Sequence, residues 1–95
     1  MSDALLELDE LRANALGFGE ASLAKFESEI ASALTRITTF PQSAPLVHRA
    51  VRRLTFPRTG AAVFYRVDQA AVVVVLATDS RRDPDVIAAL LSTRK

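Results

Sequence analysis

The sequence predicts an α+β fold: a helical hairpin packed on an antiparallel β-meander, in the order α-α-β-β-β-α. Three observations predict it. Two stretches of helical periodicity fill the first 40 residues and are joined only by Gly17-Phe18-Gly19, which turns the second back beside the first. The period changes after Pro41, where strand-like segments take over. The longest apolar run, Ala70 to Ala77, has eight residues, is rich in β-branched valine, and falls far short of the ~20 that span a bilayer.

In the first helix, 3–16, Leu5, Leu8, Leu11 and Leu16 recur at roughly helical spacing, Asp3 offers an N-cap and Gly17 a stop. In the second, Leu23, Phe26, Ile30, Leu34 and Ile37 step by 3, 4, 4 and 3 residues, leaving Lys25, Glu27, Glu29, Ser32 and Arg36 mostly on other faces. Pro41 ends this helix, and Pro41-Gln-Ser-Ala-Pro45 reads as a loop. Arg49 to Phe56 reads as a strand with Val51 on one face and Leu54 and Phe56 nearer the other, before a turn at Pro57-Arg-Thr-Gly60. In a second strand, Ala61 to Val67, Val63, Tyr65 and Val67 share one face while Phe64 and Arg66 share the other. Asp68-Gln69 makes a two-residue hairpin connection without the usual Gly. Val72 to Ala77 is apolar on both faces, as suits a central strand covered on each side. Pro84 stands at a first helical position, and Asp85 to Leu91 forms a short terminal helix. No internal repeat interrupts this order.

Composition narrows the chemistry. The 95 residues are 49% apolar and 24% charged, as expected of one small domain, with no Cys and one His. That excludes a disulfide scaffold, a thiol nucleophile and most transition-metal sites, so neither metal nor cofactor is expected and a reducing, cytoplasmic setting is. No basic, apolar leader opens the sequence. The net charge of +1 conceals a division: residues 1–40 carry seven acids against three bases, residues 41–95 nine bases against four acids. Eight of those nine bases are Arg. Guanidinium offers a planar fork of donors to carboxylates and phosphates, so the second half points to an anionic partner. Arg52 and Arg53, Arg66, and Arg81 and Arg82 fall on or beside three neighbouring strands, which a meander can bring to one surface. The competing reading is that these cations guard strand edges against pairing with other chains. There is no Gly-rich phosphate loop, no His-Glu zinc motif and no nucleophile triad. His48 reads as an exposed turn residue and Tyr65 as a core aromatic, in preference to catalytic roles.

Four segments together resemble the RelE/ParE superfamily of type II toxin–antitoxin toxins. They are Val51-Arg-Arg-Leu54, Val63-Phe-Tyr-Arg-Val67, the valine run, and Arg81-Arg-Asp-Pro84, preceded by a helix ending in Phe40-Pro41. The resemblance covers about residues 20–85 and implies a helical hairpin against an antiparallel sheet. RelE-like members cleave messenger RNA on the ribosome with basic residues and a Tyr or His, whereas ParE-like members poison DNA gyrase. Where the nuclease branch places an Arg, a C-terminal Tyr and often a His, this chain has Ala62, Ile87 and Asp79. RNA cleavage needs a proton acceptor, a proton donor and a cation for the developing charge, and Arg81 fills only the last role. The resemblance therefore implies the ParE-like branch, a non-enzymatic toxin that binds protein and not nucleic acid. A ribosome-dependent endoribonuclease and an inactive homologue are the alternatives.

The implied partners are DNA gyrase and a cognate antitoxin whose disordered, acidic segment folds onto the toxin. Arg52, Arg53, Arg66, Arg81, Arg82 and Asp83 are the expected partner-binding residues. Relatives begin with a strand before the first helix, whereas this chain opens almost directly on the helix. A missing first strand is expected to leave a sheet edge open to a partner strand or a second copy, giving a homodimer or a hetero-oligomer with antitoxin.

Overall fold

The computed structural model describes residues 3–69 and 71–94. The chain runs through helices α1 (Asp3–Gly17) and α2 (Glu20–Thr39), strands β1 (Leu46–His48), β2 (Val51–Thr55), β3 (Ala61–Asp68) and β4 (Ala71–Asp79), and helix α3 (Pro84–Thr93). The α+β class and the helical hairpin stand as read from sequence, but the sheet has four strands, in the order β1-β2-β3-β4, all antiparallel. Sequence reading missed β1 because it is three residues long, follows Pro45 and has no buried alternation. Its turn into β2 takes Arg49 to φ 51°, a left-handed conformation that a non-Gly residue rarely adopts.

Five consecutive buried residues, Ala61 to Tyr65, make β3 the spine of the sheet. Successive side chains of a strand point to opposite faces, so these five feed two separate cores. On one side Ala61, Val63 and Tyr65 join Phe26, Ile37, Leu54, Phe56 and Ala77 beneath the helical hairpin. On the other, Ala62 and Phe64 join Val51, Val75, Leu76, Ile87 and Leu91 beneath α3. The same division runs through β2: Val51 serves the second core, Leu54 and, just past the strand, Phe56 the first. Tyr65 is a core aromatic whose hydroxyl donates to the Pro41 carbonyl at 2.8 Å, fixing the loop after α2.

Several finer expectations shift. The valine strand is covered on both faces yet lies at an edge of the sheet, not its centre, because it is the last strand of the meander and pairs only with β3. A bulge explains its double-sided apolar character: pairing steps from Phe64↔Leu76 to Tyr65↔Val74, so Val75 is the extra residue and both Val75 and Leu76 enter the core under α3. Asp68 pairs with Ala71 and so belongs to β3 and not to the turn; Gln69 adopts φ 57°, and Ala70 lies outside the described residues. Asp3 lies in the first turn of α1. In α2, Phe26, Ile30 and Ile37 face the sheet as expected, but Ala33 is buried in the place expected of Leu34, which is exposed. Among the described residues no strand precedes α1, and no helix is long and apolar enough to cross a membrane.

The free edge of β4 is latched. The Glu7 carboxylate of α1 accepts from the Ala77 backbone N–H at 3.2 Å and from Arg94 at 2.6 and 2.9 Å, while Arg94 also donates to the Val75 carbonyl at 3.0 Å. Both side chains are largely buried, so the two ends of the chain satisfy edge groups that would otherwise template another strand. Replacing Glu7 by Gln removes the charge and keeps the shape. It is expected to lower the unfolding free energy by about 1–3 kcal/mol, the range for leaving a buried charged donor poorly paired. A urea titration measures this, and a change below about 0.5 kcal/mol, the range of an inert surface substitution, would show that the latch contributes nothing to stability.

Candidate functional site

The six residues read from sequence do not share one face. Arg52 and Arg53 are neighbours in β2, so alternation sends them apart. Arg52 turns to the hairpin side, where Nη1 donates to the carbonyls of Gln42 at 3.1 Å and Ala44 at 2.7 Å and so holds the loop before β1. Arg53 turns to the α3 side, where its guanidinium carbon lies 5.6 Å from the Phe64 ring centroid and Nη2 donates to the Ser80 carbonyl at 2.9 Å. Arg66, two residues along β3 from Phe64, shares its face by alternation. Arg82 belongs to the same side, with Nη1 donating to Thr78 Oγ1 at 3.4 Å. Asp83 caps α3, its carboxylate accepting from the Asp85 N–H at 2.8 Å. The α3 side thus gathers Arg53, Arg66 and Arg82, and Arg52 stands apart from them.

Arg81 occupies a third position, at the end of β4. Its Nε and Nη2 donate to the two Asp79 oxygens at 3.0 and 2.8 Å, and its backbone N–H donates to Asp79 Oδ1 at 2.8 Å. The guanidinium lies over Gly60, where a Cβ would sit 3.8 Å from Nη2. This fork is well formed and exposed. The side-chain hydrogen bonds from Arg81, reinforced by its backbone N–H and its charge, pull the Asp79 carboxyl down from 3.8 to about 2.

His48 is on β1 and Asp79 on β4, separated by three inter-strand spacings, about 14 Å across the sheet. His48 is half-buried, not the exposed turn residue expected, and its Nε2 is enclosed without a hydrogen-bond partner. Ile87 is buried in the core under α3 and Ala62 is fully buried beneath the same helix. Among the described residues no group of His, Asp or Glu is placed to hold a metal ion. Sequence reading passed over Lys25 and Arg58, which line a cleft together with Arg81. Only their charge, off the apolar stripe and in the Pro57–Gly60 turn, marked them in advance. No protein-family model, curated protein or solved structure matches the chain.

The Asp79–Arg81 fork sets a pH test with a definite sign. A carboxyl whose folded pKa is depressed contributes stability above its unfolded pKa, here 3.8, and loses it as pH falls through the folded value of about 2. The Asp79 carboxyl, followed by carbon NMR, is expected to titrate near 2 and to return toward 3.8 in Arg81→Ala. A midpoint near 4 in the unmodified chain would mean that the fork does not persist in solution.

Proposed function

We propose that the chain is the toxin component of a type II toxin–antitoxin system, of the ParE-like kind. On this reading it acts in the cytoplasm, without a cofactor, by binding DNA gyrase, and is neutralised by a cognate antitoxin. The resemblance supplies the family: its segments lie on the end of α2, on β2, β3 and β4, and on the link into α3. The observation that carries the branch is the engagement of Asp79 by Arg81. A carboxyl held at about 2 is ionised at neutral pH, so it has no proton to donate and little basicity with which to take one. Arg81 itself stays protonated and cannot serve as a base.

Burial supports the same choice. The position at which the nuclease branch carries an Arg is Ala62, packed under α3 with Ile87 and Leu91. A guanidinium there would displace that helix or stand unpaired in an apolar core. Cations on three surfaces suit binding to an acidic protein surface better than cleavage of RNA, since the Tyr65 ring opposite Arg52 is buried and its hydroxyl is engaged by the Pro41 carbonyl.

Incubated with gyrase, DNA and ATP, the purified chain is expected to accumulate trapped double-strand breaks. Incubated with translating ribosomes, it is expected to leave messenger RNA intact. Ribosome-dependent cleavage ends with no trapped gyrase complexes would overturn the reading. Arg82→Glu and Arg81→Glu are each expected to weaken binding of the antitoxin or gyrase by about tenfold or more, because they place like charges across the contact. Unchanged affinity in both variants would remove these residues from the interface.

A further inference from the structure

We propose that the cleft at the hairpin-turn end of the molecule binds a nucleoside phosphate, with the phosphate among Lys25, Arg58 and Arg81 and the base against Phe18. The inference does not rest on the toxin reading. The cleft holds about 770 Å³ and lies where the α1–α2 turn, the β2–β3 turn and the end of β4 meet. That is the size of a small-molecule site. Leu11, Ala15, Phe26 and Ala61 supply apolar lining, and three cations from three different elements stand around it.

The charges are what mark the cleft. Among the described residues Asp79 is the only carboxylate in its lining, and both its oxygens are already engaged by Arg81. Among the described residues, the Lys25 ammonium and the Arg58 guanidinium form no ion pair. Two of the three positive charges therefore stand uncompensated around one space. A single carboxylate ligand would leave one of them unmatched, whereas a phosphate presents several oxygens and up to two charges to donors arriving from separate directions.

The donors are also partly set in place. Arg81 is held by Asp79 over Gly60, with no further hydrogen bond from its Nη1 among the described residues. Arg58 rides on a turn pinned to α2, because Glu29 accepts from the Arg58 and Thr59 N–H groups, each at 3.0 Å, and from the Thr59 hydroxyl at 2.8 Å. Fixed donors lose less freedom on binding an anion.

Phe18 gives the site its second half. It stands between Gly17 and Gly19, contributes to the cleft wall and is 86% exposed, more than any other large apolar side chain described. An aromatic ring so displayed beside a cation cluster is a stacking platform for a planar base. The Asn14 amide, also in the lining, adds hydrogen-bonding capacity. The cations form one cluster at one end of the fold and no track along a groove, which favours a mononucleotide over a strand of nucleic acid.

Isothermal titration at low salt with ADP, adenosine, inorganic pyrophosphate and a ten-residue oligothymidylate tests the site. ADP is expected to bind, adenosine to bind at least about a hundredfold more weakly for want of the charged contacts, and pyrophosphate about tenfold more weakly for want of stacking. Phe18→Ala is expected to cost about tenfold for ADP and nothing for pyrophosphate, because the ring touches only the base. Lys25→Ala combined with Arg58→Ala is expected to cost about a hundredfold for both. All three side chains are exposed, so the fold is expected to survive, and melting curves check it. No ADP binding at millimolar concentration, ADP affinity unchanged by both sets of substitutions, or tighter binding of the oligonucleotide than of ADP would each overturn the proposal. Loss of gyrase inhibition in other experiments would leave these expectations standing.

Discussion

Everything in this molecule is registered on β3, whose five buried residues are divided between two cores. A strand buried on both faces has no solvent side, so the sheet must be covered twice, by the α1–α2 hairpin and by α3. That constraint also distributes the charge. Arg52 pairs with Tyr65 and Arg53 with Phe64, and since Tyr65 and Phe64 belong to different cores their partners leave on different sides. Adjacent arginines in a strand cannot cooperate on one surface. Those on the α3 side, Arg53 and Arg66, can, because Arg53 pairs with Phe64 and Arg66 stands two positions along β3 from it, on the same face.

The arginines are bonded in a way that conserves their charge. Arg52 and Arg53 each donate to backbone carbonyls, at Gln42 and Ala44 and at Ser80. A carbonyl orients a guanidinium without neutralising it. Of the acids in the first half, Glu7 meets Arg94 across the β4 edge, and Glu27 meets Arg12 within the hairpin. Glu29 instead binds backbone N–H groups of the β2–β3 turn. The acidic helices thus brace the basic half without cancelling it, and Arg66, Arg58 and Arg82 keep their positive charge available to an anion.

Much of this was legible from residue spacing, and what was not has identifiable physical causes. The hairpin, the turn at Pro57–Gly60, the two faces of β3 and Pro84 at the start of α3 followed from periodicity and from Gly and Pro chemistry. Strand β1 did not, because three exposed residues carry no pattern. The place of β4 at the edge was hidden by its bulge: Val75 and Leu76 on one face, with Val72, Val74 and Ala77 on the other, imitate a central strand. The expected arginine surface failed to form as one unit because dipeptides such as Arg52-Arg53 look like clusters in sequence and are opposites in a strand. The cleft around Lys25 and Arg58 was invisible, since it exists only where three turns distant in sequence converge.

The fork at the end of β4 shows why proximity of an acid and a base does not by itself make a catalytic pair. Two titrating groups share catalytic work when their environments leave one able to accept a proton and the other able to give one near neutral pH. Asp79 and Arg81 do the reverse: each drives the other further from neutrality, the carboxyl down to about 2 and the guanidinium upward. What the pair gains is orientation. Asp79 occupies Nε and Nη2, the guanidinium edge that lies over Gly60, and because that carboxylate is itself compensated, the surrounding field is set by Lys25 and Arg58. A strongly coupled ion pair at this place is a device for holding a positive charge still, and a charge held still recognises an anion whether it is carried by a protein surface or by a phosphate.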